Sequence, residues 1–80
     1  MERSTFEVGK IYSVAGMGPM KMVEPCSDGT CTLKTLWGHN YFASHHSIVR
    51  EVDEAYVAFH IEQLISRQVV PPGFTPKWDE

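Results

Sequence analysis

Long apolar runs are missing from this sequence, and nowhere does a stretch approach the ~20 residues needed to cross a bilayer. The opening Met1-Glu2-Arg3-Ser4-Thr5 carries no apolar signal segment, so a cytoplasmic location is the expectation. Positive charge is also scarce. Seven Lys and Arg face ten Asp and Glu, giving a formal charge of −3, and the basic residues stand singly from Arg3 to Lys77. Phosphate contacts supply most nucleic-acid affinity, so the lack of a basic stripe argues against direct DNA or RNA binding. An acidic surface suits a basic protein partner, and it also keeps a small domain in solution.

Catalytic signatures are absent as well. There is no Gly-x-Ser-x-Gly elbow, and Gly16-x-Gly18 runs into Pro19 rather than into the Lys-Ser or Lys-Thr of a phosphate loop. Cysteine is limited to Cys26 and Cys31, spaced Cys-x4-Cys, where zinc knuckles most often use Cys-x-x-Cys. A cross-strand disulfide between them is geometrically possible, but a reducing compartment as the default disfavours it, so the expectation is two reduced thiols, Cys31 being a small buried apolar residue. His45-His46, flanked by Ser44 and Ser47, reads as a solvated turn rather than a ligand pair. The expectation is therefore no enzyme, no metal and no cofactor.

What is present is turn chemistry and alternation. Eighty residues make one domain with a marginal core, which disulfides, metals or self-association usually supplement. From Phe6 to Val52 the chain reads as short extended runs: Phe6–Val14, Met20–Glu24, Thr30–Trp37, Tyr41–Ser44 and Ile48–Val52. Ser27-Asp28-Gly29-Thr30 is a hairpin signal, since glycine takes a positive φ at no steric cost. The third run should place Cys31, Leu33, Thr35 and Trp37 on one face. Five short strands in residues 6–52 suggest a small SH3-like barrel.

The period then changes. Asp53 suits an N-cap, and Val57, Ile61, Leu64 and Ile65 share one helical face, with Ala58 and His60 at its edges. The helix occupies 53–68 and must stop ahead of Pro71, near Gln68. Residues 69–80 form a Pro-rich aromatic tail, read as extended.

The aromatic residues carry the functional expectation. Phe59 lies off the apolar stripe with Tyr56 one turn behind it and Gln63 one turn ahead. A helix that packed only on its own strands would not need a phenylalanine there. Phe74 and Trp78 either fold back on the core or present a stiff aromatic bait. Tyr56, Phe59, Gln63, Phe74 and Trp78 are the expected partner-binding residues, for a protein partner or a second copy.

Val8-Gly9-Lys10, the run Gly18-Pro19-Met20-Lys21-Met22-Val23-Glu24, Cys31 and Trp37-Gly38 together resemble the YodC-like family of small bacterial proteins. The resemblance covers residues 6–52. It implies a small barrel and brings no activity with it. The family tends to place an aromatic-Asp-Gly turn after its tryptophan, whereas Trp37 here runs into Gly38-His39. Everything from Asp53 onward lies outside the match. The expected function is a non-enzymatic protein-binding module, of the kind a phage or mobile element uses as an inhibitor or adaptor of a bacterial complex. The alternative is an oligomeric SH3-like barrel holding a small molecule or metal between subunits.

Overall fold

At Asp28-Gly29 the chain reverses through two consecutive positive φ values, 54° and 80°. That is the twist a two-residue hairpin needs to match its flanking strands. In the computed structural model, which describes residues 6–78, this turn joins β2 (Gly18–Ser27) to β3 (Thr30–Lys34). Cys26 and Cys31 are joined in a disulfide across it, so the expectation of two reduced thiols is corrected. The physical reason is local: the tight turn brings the ends of its two strands side by side.

The remaining strands are β1 (Ile11–Val14), β4 (Asn40–Ser44) and β5 (Ile48–Val52). All pairs are antiparallel, and the single sheet has the order β4-β3-β2-β1-β5. β4 and β5 form its edges, so the described sheet is open. A 3₁₀ turn at His45–Ser47 links them, with the Ser44 hydroxyl accepting from the His46 N–H at 3.2 Å.

Strand β3 ends earlier than the alternation suggests. The Thr35 hydroxyl accepts from the N–H groups of Trp37 and His39, at 3.3 and 3.2 Å, and turns the chain. The parity of the run breaks there. Leu36 is buried and Trp37 is 48% exposed, the reverse of the expected face. The first run is likewise shortened at its start, because Gly9 adopts φ 92° and Lys10 N–H bonds back to Glu7 O.

Pro19 and Met20, consecutive in β2, are both buried although successive strand residues point to opposite faces. The sheet is therefore covered on both sides. One side carries Tyr12, Val14, Met20, Met22, Leu33 and Ile48, with Phe6 packed edge-on against Tyr12 at 5.1 Å. Each such side chain contributes about 1.5–3 kcal/mol of burial. On the other side, α1 (Glu54–Ser66) packs against β2, and Leu36, Val57 and Ile61 form a second cluster with Ile11, Phe74 and Trp78.

Asp53 caps α1 as expected, its Oδ1 accepting from Tyr56 N–H at 2.9 Å. The far end closes with a paired motif: Gln68 N–H donates to Ile65 O and Val69 N–H to Leu64 O, both at 2.9 Å. Gln68 takes φ 64° to do so. The tail departs from a simply extended segment. Phe74 N–H bonds Pro71 O at 3.1 Å, closing a turn in which Gly73 has φ 85°. Lys77 N–H then donates to Leu36 O at 2.8 Å, which fastens the tail to the β3–β4 connection.

Candidate functional site

Helix α1 buries Val57 and Ile61 against the sheet and has two further flanks. Tyr56, Phe59 and Gln63 are spaced three and four apart, so they form one stripe. Phe59 is 63% exposed and Gln63 is exposed. Tyr56 is half-buried, with the Arg50 guanidinium 5.4 Å from its ring centroid, so β5 holds it in place.

His60 edges the same flank and lies directly over Gly18. A Cβ at Gly18 would stand 2.9 Å from the imidazole, so the ring would have to shift, and the φ of 92° strains any other L-residue there. Burial pushes the His60 pKa below the usual imidazole value, and the Arg67 charge pushes it the same way.

Glu54, Ala58 and Glu62, each four residues apart, form the opposite flank. Between this row and the tail lies a cleft of about 420 Å³. Ile11, Val57 and Ile61 are on its apolar side, and Phe74, Pro76 and Trp78 line it from the tail. Phe74 also has Trp37 at 6.3 Å and the Lys77 ammonium 5.9 Å from its ring centroid. Phe74 and Trp78 thus fold back, and each is partly buried.

The five expected partner-binding residues consequently fall into two groups. Tyr56, Phe59 and Gln63 share a stripe, while Phe74 and Trp78 line the cleft beyond the other flank of the helix. Two exposed aromatics were outside that expectation. Phe42 is 67% exposed on edge strand β4, and its sign is readable from alternation once Ala43 is taken as inward. Trp37 is exposed through the Thr35 turn, which period-two reasoning does not anticipate.

Among the described residues, no group of three or more His, Cys, Asp or Glu is placed to hold a metal ion. The cysteines bond each other, and His45 Nδ1 lies 3.3 Å from Gly29 O with the His46 ring 4.0 Å away. Among these residues, no helix is long and apolar enough to cross a membrane. Comparison with protein-family models, with curated proteins and with solved structures returns no match.

Proposed function

We propose that this chain is a non-enzymatic module that binds a protein partner through the outward stripe of α1, with Phe59 as the anchor and Tyr56 and Gln63 beside it. One observation carries the reading: Phe59 is 63% exposed on a helix whose inward face is already occupied by Val57 and Ile61. Aromatic anchors dominate interface energetics, and the clamp of Arg50 on Tyr56 reduces the ordering cost of its neighbour on binding. The net charge of −3 favours a basic partner.

For the scaffold we propose an SH3-like barrel related to the YodC-like family. The strand order, with β5 returning to β1, and the run Gly18-Pro19-Met20-Lys21-Met22-Val23 support it. In that run Pro19 and Met20 are both buried, which gives the sequence pattern a packing role. The proposed setting is the bacterial cytoplasm, with the chain acting as an inhibitor or adaptor of a protein complex, such as a phage or mobile element supplies.

A second reading, self-association, is favoured by β4. That edge strand carries no charge and no proline, and Phe42 projects from it, so nothing in its composition discourages a further strand. A ligand between subunits belongs to this reading. The test compares wild type, Phe59→Glu and Phe42→Glu by affinity capture from bacterial lysate and by light scattering. Loss of a captured protein in folded Phe59→Glu alone supports the helix stripe. A dimer that only Phe42→Glu dissociates, with no heterologous partner, would replace that reading with self-association.

A further inference from the structure

Three features coincide in the cleft between α1 and the tail. Its walls are apolar and aromatic, its rim carries Glu54 and Glu62, and among the described residues no basic side chain lines it. The ion pair between Lys10 and Glu51 lies outside the cleft, and neither Glu54 nor Glu62 takes part in it. Glu54 sits in the first turn, where a helix favours negative charge, but Glu62 has no such reason for its place. Ala58 stands midway between them and leaves the cleft its depth.

The spacing sets the shape of a ligand. Eight helical residues separate the two carboxylates, or about 12 Å along the axis. In an extended peptide, residues four apart lie about 13 Å from each other and point to the same side. The residue midway between them also points that way.

We propose that this cleft binds an extended segment of the form basic-x-apolar-x-basic. The two cations meet Glu54 and Glu62, and the apolar side chain enters over Ala58 between Ile61 and Trp78. Lys or Arg stems would lie along the apolar wall with their charged heads at the rim. The 420 Å³ of space is in the range of sites that bury a few side chains. The proposal names a partner's chemistry and so rests on the protein-binding reading, but it uses the flank of α1 opposite Phe59.

The test titrates the ¹⁵N-labelled full chain with the acetylated, amidated pentapeptide Lys-Thr-Leu-Thr-Lys. Saturable shifts of the Ala58 amide and the Trp78 indole are expected. Ala58→Leu should abolish saturation while keeping the fold, because Ala58 is exposed and leucine is a good helix former. Glu54→Gln combined with Glu62→Gln should weaken binding about fivefold, the scale of two exposed ion pairs. No saturable shift, or undiminished binding in Ala58→Leu, would overturn the proposal. Shifts confined to the Phe59 stripe and lost in Phe59→Glu would overturn it too, while leaving the protein-binding reading standing. Equal affinity for pentylammonium would replace the dibasic segment with a small organic cation.

Discussion

At the residue scale, Gly18 and His60 form the most demanding contact. Gly18→Ala places a Cβ 2.9 Å from the ring and at a φ that L-residues rarely adopt. We expect a loss of about 1–3 kcal/mol, measured by urea denaturation. His60 adds a pH term. Its pKa is depressed in the folded state, so the unfolded chain takes up the proton first. Its contribution is complete above pH 6.5 and declines as the pH falls below that value towards the depressed one. His60→Gln should flatten the fall in melting temperature between neutral and mildly acid pH. Neither partner was legible beforehand: His60 reads as the edge of a stripe and Gly18 as part of a turn, and only the tertiary crossing joins them.

At the element scale, the helix was the most readable part, because its signals are local. Asp53 and the stripe Val57–Ile61–Leu64 need nothing from elsewhere in the chain. Asp53→Ala should cost about 1 kcal/mol by losing the bond to Tyr56 N–H. Gln68→Gly should stabilise by roughly 0.5–1 kcal/mol, since glycine accepts the left-handed geometry that closes the helix. The hairpin turn was equally legible and made a Cys26–Cys31 bridge geometrically possible, but the expected compartment argued for thiols. Closing so short a loop is worth about 2 kcal/mol on chain-entropy grounds. Cys26→Ala, which removes the bridge at its partly buried end and leaves the fully buried Cys31 in place, should lower the melting temperature under oxidising conditions and nearly match the wild type in reductant. Thiol titration of protein isolated under alkylating conditions would show which form exists in the cell. The strand ends were the least legible, since Thr35 captures two backbone amides and reverses Leu36 and Trp37.

At the scale of the whole molecule, both faces of one sheet carry a hydrophobic cluster, and the tail completes the second. Alternation in the strands pointed to one core and left Ile11 and Pro19 without a role. The helix and tail supply that role by covering the reverse face. Trp78→Ala should therefore destabilise the protein, by about 1–3 kcal/mol for a partly buried aromatic, and open the cleft. Phe59→Glu should leave stability nearly unchanged, because among the described residues Phe59 is 63% exposed. That pair of variants separates an aromatic that holds the fold from one that is open to a partner.

Because β2 occupies the centre of the strand order and is the wall between the two clusters, it has no exposed flank through which to breathe. Solvent deuterium should reach the amides of Met20 to Met22 only through opening of the entire protein, whereas β4 and β5 can fray from their free edges. The slowest-exchanging protons of the chain then mark a single strand, and their rate measures the global unfolding free energy without added denaturant.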